Sequence, residues 1–299
     1  MSTSIRLCAV AVLFAVSVPA FAAESVIAEG HAIEKLSDGF AFTEGPASDA
    51  AGNVYFTDQP NNRIHIWSVE GKLSTFMEPC GRSNGLCFDK DGYLWACADD
   101  KNQLWRIDVK DKTNVVYEKF HGKLLNAPND VWVAPDGSAY FSDPFYKRDY
   151  WQRGPSEQDC EAVYRLDAKT KKITRVADDL KQPNGLIGTP DGKTLYVADI
   201  GDKKTYSYTI QSDGTLTDRR LFCEMGSDGM TIDNEGNVYL TGDGVFVFDS
   251  SGKQIAHIPV DAPWTANVCF GGKDRNELFI TASTALFRIK LRTKGVGSQ

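Results

Sequence analysis

Six polar residues open six copies of one short pattern. They are Glu44 before Gly45 and Pro46, Asn84 before Gly85 and Leu86, Asn129 before Asp130 and Val131, Asn184 before Gly185 and Leu186, Asp228 before Gly229 and Met230, and Asn267 before Val268 and Cys269. Successive openers lie 40, 45, 55, 44 and 39 residues apart. Two are carboxylates and four are carboxamides, and none is a histidine or a cysteine. Hard oxygen donors select Ca2+ or Mg2+ over softer metals, and two carboxylates match the charge of a divalent cation. A single Asn or Asp before Gly is an ordinary turn residue that caps its own backbone. Six polar openers in phase with a repeat point instead to one shared site.

Donors this far apart in sequence meet only if the elements carrying them repeat around an axis. Each opener leads into a short apolar stretch, and a second apolar run follows, usually across an Asp-Gly or Asn-containing turn. Several of these second runs end on Asp, at Asp58, Asp99, Asp143 and Asp199. A strand-and-turn period of roughly 40–50 residues is the mark of a β-propeller. The expected fold is therefore all-β, a six-bladed β-propeller with four-stranded blades over residues 30–292. Innermost strands running along the axis would gather the six openers into a ring. The segment 33–42 is expected to hold the strand that completes blade six and closes the circle. No stretch carries a sustained helical period. Residues 145–160 interrupt blade three with Tyr146, Arg148, Tyr150, Trp151 and Arg153. They read either as a substrate-shaping loop or as a plain surface connection.

The first residues read differently. Arg6, an apolar run over 7–18 and the small-residue site Ala20-Phe21-Ala22 form a signal-peptide pattern, with cleavage expected near Ala22. The run is shorter than the ~20 residues of a membrane span. An exported protein, periplasmic or secreted and without a membrane anchor after cleavage, is expected. A net charge of −7 without a basic cluster argues against nucleic acid as a partner. The seven cysteines include no Cys-x-x-Cys, which favours structural over redox or metal roles and leaves their pairing open.

The ordered motifs Thr43-Glu44-Gly45-Pro46, Val54-Tyr55-Phe56-Thr57-Asp58, Gly81-Arg82-Ser83-Asn84-Gly85-Leu86, Pro128-Asn129-Asp130-Val131, Tyr140-Phe141-Ser142-Asp143-Pro144, Pro183-Asn184-Gly185-Leu186 and Asp228-Gly229-Met230 resemble the gluconolactonase family. That family includes senescence marker protein and luciferin-regenerating enzyme, and the resemblance covers about residues 35–290. It implies a six-bladed propeller that hydrolyses lactones with one divalent metal in its channel. Carried over by motif, the metal ligands would be Glu44, Asn129, Asn184 and Asp228, with Asp228 also in the acid–base role. Ca2+ is the first expectation, with Mg2+, Mn2+ or Zn2+ as alternatives. Some members place an Arg two residues before the third-blade ligand Asn, where this chain has Ala127. A Glu expected in the following strand region is not evident either.

Arg82 and Asn84 open blade two on the same end and are candidates for binding substrate hydroxyls. Asp130, beside Asn129, is a candidate for substrate contact or proton transfer, and Asp199 is a second proton-transfer candidate. The triplet Gly81, Ser83 and Gly85 fits the Gly-x-Ser-x-Gly expression, but that elbow needs a strand-to-helix turn, and no His lies in phase with the repeat. Two rivals to lactone hydrolysis stay open at this level. One is a phosphotriesterase-like hydrolase on the same ligand set, similar to diisopropyl fluorophosphatase. The other is a propeller that binds a sugar or protein without catalysis.

Overall fold

Short β-branched and aromatic runs, cut by turns that Asp side chains pin, fold here into six antiparallel sheets of four strands each. The computed structural model describes residues 26–112 and 114–296, so the expected signal peptide lies outside the described residues. Asp89 shows how a turn is held: its Oδ1 accepts the N–H groups of Asp91 and Tyr93, each at 3.0 Å. Asp233 does the same for Glu235 and Asn237, each at 2.9 Å.

The innermost strands are Thr43–Ser48, Ser83–Phe88, Val131–Val133, Pro183–Gly188, Met230–Ile232 and Thr265–Gly271. Each touches the next, and the sixth touches the first. Glu34–Asp38 pairs with Ala285–Lys290 as the outer strand of blade six, so an early strand and a late one share a sheet. Thr43 locks the seam: its N–H donates to the Ser283 carbonyl at 2.8 Å and its hydroxyl to the Ala285 carbonyl at 2.9 Å. The chain is a six-bladed β-propeller. The one helix among the described residues is a 3-10 turn, Asp99–Lys101.

The buried hydrophobic residues form six clusters, one in each gap between neighbouring blades. Trp95, Phe141 and Tyr164 fill the gap between blades two and three. Val54, Phe56, Phe279 and Leu286 fill the one between blades six and one. The six described cysteines are unpaired. Burial pushes the Cys80 thiol up to about 11 and the Cys87 thiol up to about 12, so these are inert packing groups.

What aims each innermost strand is a clamp on the backbone just before it. Asp58 Oδ1 accepts from Ala41 N–H at 3.1 Å and Phe42 N–H at 3.2 Å. Asp143 takes Asn126 N–H and Ala127 N–H, both at 2.8 Å. Asp199 takes Lys181 N–H at 2.8 Å and Gln182 N–H at 2.9 Å. In all three blades these are the residues three and two places before the opener. Asp199 is thus occupied on both oxygens as a backbone acceptor rather than presented to a substrate. Blade six uses Ser283, whose Oγ accepts Trp264 N–H at 3.0 Å. In blade five the Thr241 hydroxyl accepts Gly229 N–H at 3.0 Å.

Asp199 is 1% exposed. Replacing it with Ala leaves two part-buried N–H groups without their acceptor, and the roughly 1–3 kcal/mol for each buried polar group left unpaired is an upper bound on the cost of each. The Asp199→Ala protein is expected to unfold at a clearly lower urea midpoint with an unchanged slope. A midpoint equal to that of the parent would refute the clamp.

Candidate active site in the central channel

The openers point inward because the strands they begin are irregular. Pairing between first and second strands shifts register at Glu44/Ala47, Ser83/Leu86, Pro183/Leu186 and Thr265/Asn267. A bulge bends its strand and re-aims the side chain it carries. In blades three and five regular pairing starts only after the opener, at Val131 and Met230. The residue that follows an opener also meets the neighbouring blade. A Cβ on Gly85 would lie 2.5 Å from Asp130 Oδ1 and 2.6 Å from the Asn129 carbonyl oxygen. One on Gly229 would lie 1.9 Å from Asn267 Cγ. Only glycine fits such an approach.

Glu44, Asn84, Asn129 and Asp228 line one cavity of about 460 Å³. Asn184 joins them through its Nδ2, which donates to Asp228 Oδ1 at 2.9 Å and to the Tyr146 hydroxyl at 2.8 Å. Asn267 lies near the Glu44 and Asp130 carboxyls, where its amide favours their charged forms, and it accepts Val268 N–H on its own Oδ1 at 2.8 Å. Burial, then the neighbouring Asp228 charge, hold the Glu44 carboxyl well above the usual range. Burial also raises Asp228, against the opposing hydrogen bonds from Trp264 and Asn184. Asp130 is pushed up to about 8, chiefly by burial.

These donors suit a hard cation. Asn184 Oδ1 is buried without a hydrogen-bond partner among the described residues, beside two carboxyls whose charge burial disfavours. Arg148, the one cationic side chain lining the cavity among the described residues, is tied to Asp99. Among the described residues no three His, Cys, Asp or Glu gather as a metal cluster, so the donor set is two carboxylates completed by amide oxygens. Glu44, Asn129, Asn184 and Asp228 would hold such an ion.

The remaining candidates take other places. Asn84 lines the cavity. Arg82 stands behind the wall: its Nη1 donates to the Pro60 carbonyl at 2.6 Å and its guanidinium stacks on the Tyr150 ring at 4.3 Å. Asp130 lines a second, smaller cavity together with Asn267 and Val131, where it accepts Val131 N–H at 2.9 Å. Ser83 is fully buried and donates to the Cys80 carbonyl at 2.6 Å, so it is no nucleophile.

Several wall residues carry no signal in the opener pattern. Trp264, 48% exposed, donates Nε1–H to Asp228 Oδ2 at 2.7 Å. It sits three residues before Asn267, the same phase as the clamped residues of other blades, and that phase is the signal that could have found it. Gln59, Gln182 and Phe42 also line the cavity. Residues 145–160 supply Tyr146, Arg148 and Tyr150 to the same wall, so this insertion shapes the cavity.

Comparison with known proteins agrees with this arrangement. Residues 42–284 match the SMP-30/Gluconolactonase/LRE-like region. A gluconolactonase of Zymomonas mobilis is 29% identical over 294 residues, covering 88% of this chain and 82% of the relative. The structure of a putative gluconolactonase superposes with a TM-score of 0.85 at 33% identity, covering 91% of this chain and 96% of that one. A gluconolactonase of Xanthomonas campestris gives 0.83 at 30% identity, over 89% and 91%. With most of its propeller inside the matched region, the chain belongs to the SMP-30/gluconolactonase/LRE-like family.

Proposed function

We propose that this lactone-hydrolysing enzyme opens a sugar-type lactone to its hydroxy acid in the channel cavity. A divalent cation, Ca2+ before Mg2+, Mn2+ or Zn2+, is held by Glu44, Asn129, Asn184 and Asp228, and Asp228 carries the proton. One observation supports this most: two buried, mutually repelling carboxyls lie with an unpaired amide oxygen at the floor of an open cavity. Gluconolactonase relatives that cover most of the chain support the lactone. When bound, the cation supplies Lewis-acid polarisation of the carbonyl and stabilises charge developing on its oxygen.

The chain's own residues do the rest. Asn184 holds Asp228 Oδ1 and Trp264 holds Oδ2, which fixes the plane of the carboxyl. A carboxylate held in this way beside the attacking water can act as its general base. Asp228 takes a proton from the attacking water and returns it to the ring oxygen as the ester bond breaks. Phe42, Tyr146, Tyr150 and Trp264 form an aromatic wall that displaces water, while Gln182 and Arg148 offer donors to substrate oxygens. The reading includes export, for which the pattern over residues 1–22 is the support.

A pH-indicator assay over lactones and a phosphotriester tests the substrate class. Chelation is expected to abolish lactone turnover and added Ca2+ to restore it. Asp228→Asn should lower kcat by about 10²–10⁴-fold, the usual range for a general acid–base. Turnover near the parent value in that variant removes the assigned role.

A second test needs no substrate. In chelated protein the folded pKa values of Glu44, Asp130 and Asp228 all lie above their ordinary carboxylate values. The folded state then keeps protons that the unfolded chain has lost. Their contribution is full below about pH 4 and is lost as pH rises through the folded values, Asp130's at about 8. The thermal midpoint of chelated protein should decline across that window, and Asp130→Asn should flatten the decline. A slope identical in both proteins counts against a buried, protonated Asp130.

A further inference from the structure

One strand-end carboxylate departs from the pattern of its counterparts. In blade two the N–H groups of Cys80 and Arg82 are taken by Asn62 Oδ1, at 3.0 and 2.7 Å, and not by Asp99. Asp99 is 2% exposed, and its Oδ2 collects three side chains instead. Gln59 Nε2 donates at 3.0 Å, Arg148 Nε at 3.0 Å and the Tyr150 hydroxyl at 2.6 Å. The main-chain oxygen of Asp99 accepts Trp151 Nε1–H at 3.0 Å. Gln59, Arg148 and Tyr150 all line the channel cavity. A single buried oxygen therefore fixes three wall side chains from two parts of the chain.

The base of the inserted loop is held independently. Arg153 donates to the Leu125 carbonyl at 3.1 Å, and Gln158 Nε2 donates to the Leu124 carbonyl at 2.8 Å. Without Asp99 the loop would keep its footing, while the face it turns to the cavity would lose its register. Arg148 commits Nε to Asp99. Among the described residues its two Nη groups have no hydrogen-bond acceptor, so a planar fork of donors is left for the cavity it lines.

We propose that Asp99 is a positioning residue. It holds Arg148 and Tyr150 as the wall that recognises substrate oxygens, so selectivity among lactones is set by this cluster and not by the ring of oxygens on the floor. Asp99 touches no reacting atom. Its effect falls on binding and discrimination, and this part of the inference rests on the lactonase reading. The anchoring of the loop face does not.

The experiment compares Asp99→Asn, Arg148→Met and the double variant with the metal-loaded parent. Steady-state kinetics run over lactones that differ in hydroxyl number, with limited trypsin digestion and urea denaturation in parallel. Each single variant should raise KM about tenfold and leave kcat within about threefold, and the double variant should be no worse than either single, as partners in one network behave. Discrimination between lactones should shrink. Trypsin should cut at Lys147 and Arg148 faster in Asp99→Asn, at an unchanged urea midpoint, while Arg153 in the independently held base keeps its protection. Unchanged KM, additive effects, or a fall in kcat at constant KM overturns the proposal. So does a collapse of the urea midpoint, which would make Asp99 a clamp like Asp199. Should Asp99→Asn fail to fold, Tyr150→Phe removes one bond from the loop side and should shift KM and cleavage in the same direction. If the parent cleaves no lactone, the lactonase reading fails by itself, and the trypsin result still decides whether Asp99 anchors the wall.

Discussion

The axis of this propeller leaves room for one side chain per blade, and much else follows from that limit. At Gly85 and Gly229 even a methyl group would collide with the neighbouring blade. Apolar packing is therefore displaced outward into the six gaps between sheets, where it supplies the hydrophobic stabilisation. The openers at one end of the channel are polar, while the other end is lined mostly by apolar side chains of the innermost strands such as Leu86, Val131, Leu186, Met230 and Val268. Bulged strand starts turn carboxylates and amides toward one another, and residues separated by up to 223 positions in the chain (Glu44 and Asn267) are brought together. Catalytic geometry is here a by-product of how closely six sheets must approach.

Close approach alone would not give rigidity. The approach to each innermost strand is irregular backbone whose N–H groups have no partner within the sheet. A carboxylate carries several lone pairs and can accept two nearby N–H groups at once, on one oxygen in blade one and on both in blades three and four, which suits the Asp residues at the ends of these second strands. Blade two achieves the same with the amide oxygen of Asn62, and the displaced Asp99 turns outward to the inserted loop. The floor of the cavity thus belongs to the repeat, and part of its wall belongs to the one place where the repeat is broken.

That division also decides what was legible in the sequence. The openers, the turns and the closing strand Glu34–Asp38 all follow from local composition and a fixed period, and the structure has them where the period puts them. The partners of the strand-end acids are not local. Asp99 and Asp143 end their strands with the same residue type, yet one holds main chain and the other holds Arg148 and Tyr150, some 50 residues on. Nothing near either residue announces the difference. Trp264 was hidden for a similar reason, because its link to Asp228 spans two blades. Asp130 shows the limit of adjacency. It sits in the irregular backbone just ahead of the strand Val131–Val133 and lines a different cavity from its neighbour Asn129.

The choice of amides over acids at Asn84, Asn129, Asn184 and Asn267 has its own physical reason. A ring of six carboxylates would bind a cation more strongly, yet each added buried charge would raise the pKa of every neighbour. Glu44 and Asp228 already raise one another's cost of ionisation, and Asp130 lies close enough to feel the Asp228 charge. Amide oxygens supply donors without adding to that repulsion, so the channel can stand with its few acids protonated when no ion is present. On the proposed reading, two carboxylates balance a divalent cation, and neutral amides complete its shell without the excess negative charge that would weaken it as a Lewis acid. On that reading, the same few acids and amides serve both the empty ring and the ester cleavage.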